Sequence, residues 1–390
     1  MRILFVTPRF PYPPRKGDQL VSFQRLKSLS IDHEITLVTL YEHKNELAHL
    51  KQLEPYCQAI HVIKHSRLKA WSSLVFNFLF SILPLQVLYF KSFQLSKKLE
   101  SILRSQNFDA IHGFTLRAAP YIESFKGVRV LDMIDSWQIF ASRQIPQSKG
   151  LKLLLYRIEE KRIINFENHI GNMADHIILV SELDRDAVGS HNSLSIPLGV
   201  DLSIPSPRPE PALEPQVIFS GNMGYQPNID AVEWFTKHVW PLILAAVPSA
   251  IFHIAGANPS PKVRALSKQP GIQVLGAVPN MAESLCSAWV AVAPMQSGSG
   301  MQFKILEAMA CRIPVVSTSL GLGSIKAKNG VEILLADTPR MFADSVISLL
   351  RNSEHANRVA QMGESFVITN HNWGQSAKLI NDMYLKSQHQ

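Results

Sequence analysis

Residues 298–317 read GSGMQFKILEAMACRIPVVS, and they set a ligand loop, a helix start and a buried strand in succession. Gly298, Ser299 and Gly300 present little or no side chain, so backbone N–H groups there can approach an anionic or hydroxyl-rich ligand at the start of a helix. The helix that follows puts Lys304 and Glu307 one turn apart on one face. Lys304 can bring a point charge to phosphate, whereas Glu307 can only accept hydrogen bonds, which is what vicinal ribose hydroxyls need. Met301 and Gln302, between loop and helix, complete the contacts expected for a sugar nucleotide. As a solvated i,i+3 pair, Lys304 and Glu307 would be worth only ~0.2–0.5 kcal/mol, and the glycines beside them would have no purpose. Ala308, Met309 and Ala310 let the helix lie close to a sheet, and residues 313–316 read as the next buried parallel strand.

The same alternation runs through the chain. Residues 2–8 form a first strand, followed by the Pro-rich loop PRFPYPPRKGD and a helix beginning near Asp18. No Gly-x-Gly-x-x-Gly follows that strand, so a dinucleotide enzyme is not expected. Apolar runs at 34–40, 59–63, 110–112, 128–133, 176–180 and 194–197 alternate with helical stretches, which implies a parallel sheet covered on both faces. Residues 199–214 are dense in Pro and read as a linker. A second series then starts at 216–220, with a helix at 229–244 and strands at 250–254, 272–274, 290–293 and 313–316. The expected organisation is α/β, two Rossmann-like domains in tandem, 1–198 and 215–365, followed by a terminal segment 366–390. Open α/β sheets bind ligands at the carboxyl ends of their strands, so the substrates are expected in an interdomain cleft.

Composition narrows the partners. At 390 residues, 46% hydrophobic and 18% charged, the chain is folded and large enough for two cores. Cys57, Cys286 and Cys311 lack metal-ligand spacing and read as thiols of a reducing compartment. The N-terminus, MRILFVTP, has no apolar run of signal-peptide length, so a cytoplasmic location is expected. The net charge is +8, and residues 1–200 hold 25 Lys/Arg against 18 Asp/Glu while the remainder holds 14 against 13. A basic half calls for an anionic partner. Within 61–104, seven basic residues and one Glu surround WSSLVFNFLFSILPLQVLYF, and aromatic bulk beside a basic rim points to an anionic membrane surface rather than nucleic acid. Asn77, Pro84 and Gln86 interrupt the run below the ~20 residues a span requires. Two core-facing helices joined at the proline are the other reading of this segment.

The block Gly300 to Ala310 resembles the donor site of the retaining, GT-B-fold glycosyltransferases of family 4, glycosyl transferases group 1. Its similarity is greatest to the sugar transferases of PEP-CTERM and exopolysaccharide systems, whose segment reads Gly-Ile-Gln-Asn-Lys-Val-Leu-Glu-Ala-Met-Ala. The opening SGNMGYQPNIDAVEWF, the turn at 276–280 and a terminal helix with Trp373 as its anchor fall in the same order. Family 4 usually has two glutamates with seven residues between them; here Glu307 is the second, and Ser299 occupies the first position.

That resemblance implies a site. Gly221 and Asn222 follow the first strand of the second domain, where a glycine loop can bring N–H groups to a pyrophosphate; a plain tight turn is the alternative. Gly17 would lie at the sugar-transfer centre, where a Cβ would obstruct the ligand, and Asp18 reads as an N-cap. His112 ends a predicted strand at a place where the family often has His-x-His, and it either points to the ligand from the strand end or packs beneath it as a structural residue. Asp135 ends another and could orient an acceptor hydroxyl, or cap the next helix together with Ser136. The implied activity is metal-independent, retaining transfer of a sugar from a nucleoside diphosphate sugar to a lipid-linked or glycan acceptor in exopolysaccharide or cell-envelope glycan synthesis. It would take place at the inner face of the plasma membrane, without a bound cofactor. A GT-B-fold sugar-nucleotide epimerase and a non-catalytic sugar-nucleotide-binding scaffold subunit are the rival functions, the second because Ser299 replaces a glutamate.

Overall fold

The computed structural model describes residues 1–14, 16–77, 80–145, 149–200, 212–297 and 301–387. Ser299 and Gly300, and most of the Pro-rich segment 199–214, lie outside the described residues. Two compact units form, one from Met1–Leu198 with Trp373–Gln390 and the other from Gly199–Asn372.

The first unit holds strands β1 (Arg2–Thr7), β2 (Glu34–Tyr41), β3 (Ala59–Lys64), β4 (Ala110–Phe114), β5 (Val128–Ile134), β6 (His176–Leu179) and β7 (Ser193–Ser195). They make one sheet in the order β3-β2-β1-β4-β5-β6-β7. Every pairing is parallel, with Ile3 opposite Ile35 and Ala110 at the centre. Helices cover both faces, so Ile3, Leu4, Phe5 and Val6 are all fully buried. This is why β1 reads as an unbroken apolar run instead of an alternating one. The terminal helix Trp373–Ser387 belongs to this unit and packs on the helix Gly17–Leu29. Its anchor is Tyr384, fully covered, rather than the half-buried Trp373.

The second unit holds β8 (Gln216–Ser220), β9 (Ile251–Ala255), β10 (Ile272–Gly276), β11 (Val290–Ala293), β12 (Val315–Ser317) and β13 (Leu334–Leu335). Its parallel sheet runs β10-β9-β8-β11-β12-β13. One core lies around Phe219, Phe235, Phe252 and Phe342, and another around Ile218, Ile305, Leu306 and Met309. The single helix expected at 229–244 is instead two helices, Gln226–Trp234 and Trp240–Ala246, joined by a π-type turn at Phe235–Val239. Pro241 explains the break, since it has no N–H to continue the ladder and its ring clashes with the preceding turn.

The segment 61–104 folds as β3 and three helices, Arg67–Asn77, Leu85–Phe90 and Phe93–Ser105. Leu85–Phe90 and Phe93–Ser105 bury apolar faces, but Arg67–Asn77 buries only Ala70. The reading as a pair of core-facing helices therefore fails for its first helix. Among the described residues, no helix is long and apolar enough to cross a membrane.

Candidate functional site

In the second unit, the expected donor residues converge on Lys304. The helix Phe303–Ala310 begins just after Gln302 and sets Lys304 in its first turn. Its ammonium donates to Asn228 Oδ1 at 2.6 Å and to Gln302 Oε1 at 3.4 Å, and lies 4.6 Å from the centre of the Phe219 ring. Burial pushes the Lys304 pKa down to about 7, with Glu307 acting to raise it. Glu307 shifts upward, again through burial, with Lys304 opposing. A partly desolvated cation and carboxylate on one helical face strengthen any charged or hydrogen-bonding ligand they meet. Met301 packs against the second core of this unit.

The loop after β8 reaches the same point. A Cβ on Gly221 would lie 2.8 Å from Asn228 Nδ2 and 3.4 Å from Lys304 Cε. Asn222 is exposed; its Oδ1 accepts from the N–H of Gly224 at 2.9 Å, and its carbonyl accepts from Asn228 Nδ2 at 2.9 Å. Asn228 thus ties the glycine loop to Lys304. Gly256, at φ +146°, closes the arrangement: a Cβ there would stand 1.7 Å from the Gly221 carbonyl oxygen. Two backbone hydrogen bonds, Gly221 N–H to Ala255 and Met223 N–H to Ala257, hold the neighbouring loops together. Neither Asn228 nor Gly256 was legible as a site residue, because their roles appear only when two loops meet.

The first unit treats its candidates differently. Gly17 opens its helix, and a Cβ there meets nothing within 4 Å, so the unit itself does not demand glycine. Asp18 is not an N-cap: the cap position is Lys16, and the Asp18 carboxylate accepts from Arg9 and, at 3.2 Å, from Arg117. Arg117 also donates to Gln86 Oε1 at 2.6 Å and stacks over Phe90 and Trp137. Burial, with Arg9 beside it, lowers the Arg117 pKa to about 10 against the pull of Asp18. Next to this cluster is a pocket of about 240 Å³ lined by Arg9, Tyr12, Lys16, Glu42, His49 and Phe90 among others. The arginines were missed because their partners lie 9 and 99 residues away.

His112 requires a correction. It lies inside β4 rather than at its end, fully buried, stacked on Phe5 at 4.8 Å and hydrogen-bonded through Nδ1 to Tyr384 at 2.7 Å. Burial and the nearby Arg25 push its pKa down to about 3. A neutral, enclosed imidazole cannot touch a substrate; His112 fixes the terminal helix to the sheet. Beside it, Asp132 is fully buried and pairs with Arg25 at 2.8 Å. Asp135 follows Ile134, φ +70°, at the carboxyl end of β5 and is partly buried. Ser136 is the cap residue of the helix Trp137–Gln144 but makes no side-chain cap bond, and its N–H donates to Asp184 at 2.9 Å.

The expectation of metal independence also left one Asp-x-Asp triplet out of account, Asp184-Arg185-Asp186. Asp184 is buried and accepts from Ser181 and Ser136, and Asp186 pairs with Arg185 at 3.0 Å. Asp184 is thus held by its own helix cap and by the start of the helix Trp137–Gln144, and Asp186 by its neighbour Arg185.

Residues 214–352 match the family described as glycosyl transferases group 1. Over 95% of this chain and 96% of its own length, an uncharacterized 44.6 kDa protein in the cps region of Klebsiella pneumoniae is 24% identical. The sucrose-phosphate synthase of Thermosynechococcus elongatus superposes with a TM-score of 0.72 at 15% identity, covering 99% of both chains. HepE of Anabaena, solved in complex with UDP, gives 0.68 at 13%, covering 99% of this chain and all of its own. WaaG, a glycosyltransferase involved in lipopolysaccharide biosynthesis, gives 0.63 at 13%, covering 97% and 98%. The loop and helix gathered around Lys304 therefore lie within the residues that match glycosyl transferases group 1, in a two-unit α/β chain with the fold of GT-B glycosyltransferases.

Proposed function

We propose that the protein is a glycosyltransferase that moves a sugar, with retention, from a nucleoside diphosphate sugar to a lipid-linked or polysaccharide acceptor. The observation that carries this reading is the convergence of Gly221, Asn228, Lys304 and Glu307 on one end of the second unit's sheet. The group 1 match spans that site, and a related fold has been solved with UDP and with UDP-glucose. The relative from a cps region favours polysaccharide synthesis as the setting.

The leaving group is a nucleoside diphosphate, so the main catalytic requirement is to stabilise negative charge developing on its phosphate oxygens. Lys304 supplies an ammonium already largely withdrawn from water, which a bound diphosphate keeps protonated, and the backbone N–H of Asn222, between the Gly221 and Met223 N–H groups that bond Ala255 and Ala257, adds a donor. Glu307 accepts from the ribose hydroxyls. Charge stabilisation is assigned to these groups rather than to a resident metal. Retention follows if the departing phosphate assists the acceptor on the same face of the sugar, and no protein nucleophile is then needed. Acceptor binding is assigned to the first unit, at the pocket beside Arg9, with Gly17 leaving room at the helix start and Asp135 available to a hydroxyl.

Unit one is also assigned to the inner face of the plasma membrane. Leu68, Trp71, Val75 and Phe76 are exposed on the Arg67–Asn77 helix, as are Leu151 and Leu154 on the helix Gly150–Met173, and exposed apolar side chains of this size mark an interaction surface.

Calorimetry of nucleotide binding tests the donor site. Glu307→Ala should cost ~1.5–3 kcal/mol of sugar-nucleotide binding, because ribose donors would be left unpaired, while the melting profile stays that of a folded protein. Unchanged affinity would remove Glu307 from the site.

A further inference from the structure

We infer that the open pocket beside the Arg67–Asn77 helix takes the phosphate head group of an anionic membrane lipid, with Phe93 and the exposed apolar side chains of that helix entering the bilayer. This rests on the reading of the first unit as membrane-associated and gives that surface a specific ligand.

The pocket measures about 560 Å³ and has Lys64, Lys69 and Lys91 in its walls, with no carboxylate among its lining residues. Among the described residues, none of the three lysines forms an ion pair, although the neighbouring Arg67 is held by Glu42 at 2.5 Å. Three uncompensated ammonium groups around one opening repel each other and have no protein partner that relieves it. Ser66, Ser73 and Ser92 add hydroxyl donors. The turn Lys91–Gln94 that closes one side is the start of the 13-residue helix Phe93–Ser105, whose first turn carries no acid. Its free N–H groups and dipole favour an anion at that end. The chemistry of this wall is that of a phosphate site.

The surface around the pocket decides what carries the phosphate. Phe93, in the pocket lining, is 82% exposed, and Leu68, Trp71 and Phe76, elsewhere on the Arg67–Asn77 helix, are 85%, 59% and 79% exposed. A soluble phosphate ester leaves these groups in water. A phosphate at a lipid interface covers them, with the lysine stems running up to the head-group level. Basic side chains beside bulky apolar ones are complementary to an anionic lipid layer and to neither a neutral one nor a polar solute.

The test uses the full-length protein and vesicles of phosphatidylcholine, with and without phosphatidic acid. Each lysine near an anionic surface is worth roughly five-fold in affinity, so Lys64→Gln/Lys69→Gln/Lys91→Gln should lose about a hundred-fold on the acidic vesicles. An equal charge reduction elsewhere in the first unit, Lys27→Gln/Lys97→Gln/Lys126→Gln, should lose far less. Trp71→Ser/Phe93→Ser should also weaken binding to the acidic vesicles, with the lysines in place. Calorimetric sugar-nucleotide binding should be intact in every variant, and an unchanged far-UV spectrum and melting profile show that the first unit of each is folded. If the wild type pellets with neither vesicle, the membrane reading fails and this inference with it. If it pellets but the two lysine triples lose equally, the surface is a diffuse charged patch and the pocket is not a site. If inorganic phosphate binds in a manner dependent on these lysines while vesicles do not, the site serves a soluble phosphate and the lipid assignment is overturned.

Discussion

Lys304→Met is expected to lower transferase turnover by about a hundred- to a thousand-fold, the usual loss when one preorganised charge-stabilising donor is removed. It should weaken nucleoside diphosphate binding far more than binding of the bare nucleoside, because the ammonium is assigned to the phosphates and not to base or ribose. The proton accounting gives a second signature. Burial holds the Lys304 pKa at about 7, and a bound diphosphate raises it by favouring the charged form. Binding therefore takes up a proton, and affinity should fall as the pH rises from about 7 to about 9, above the phosphate's own titration near 6. That slope should be absent in Lys304→Met. Stability moves the other way. Between about 7 and 10.5 the unfolded lysine holds a proton that the folded one has lost, so stability rises with pH across this window and the burial cost is fully present below it. Methionine removes that cost, and the variant should melt no lower than the wild type in mildly acidic buffer. Equal loss of nucleoside and nucleoside diphosphate binding would make Lys304 a structural residue.

Gly256→Ala is the substitution expected to damage the second unit most. The added methyl would sit 1.7 Å from the Gly221 carbonyl oxygen, and the backbone there is at φ +146°. Both loops must move apart, breaking the hydrogen bond from Gly221 to Ala255 that closes the glycine loop. Strained backbone and overpacking each cost about 1–3 kcal/mol, and a unit of this size loses roughly 2–4 °C of melting temperature per kcal/mol. A drop of around 10 °C, with sugar-nucleotide binding lost before unfolding, is the result expected from thermal melts and calorimetry. A variant with normal melting and normal binding would show that this contact does not support the site.

What could be read in advance follows from which interactions are local. The parallel sheets were legible because strands covered on both faces read as continuous apolar runs, as at residues 2–7 and 290–293. Lys304 and Glu307 were legible because three residues on a helix fix their common face. His112 was misplaced because a strand boundary two residues off turned a strand-end residue into a buried one, and Tyr384, 272 residues away, is its partner. Asp18 looked like a cap from its neighbours alone, but its charge is satisfied by Arg117 from a distant segment. β13, two residues long, carries too few side chains to signal itself. In 61–104, apolar bulk has the same appearance whether it faces a core or a lipid. The packing of Arg67–Asn77, with Ala70 alone buried, shows that this helix does not face the core.

Release of nucleoside diphosphate from a panel of sugar nucleotides, with and without a membrane extract as acceptor source, tests the central claim most directly. The account predicts release from one sugar nucleotide that depends on the extract and disappears in Lys304→Met. Turnover of the donor without any acceptor would instead identify an epimerase or hydrolase. Binding with no turnover under either condition would leave a scaffold subunit and contradict the assignment of glycosyl transfer.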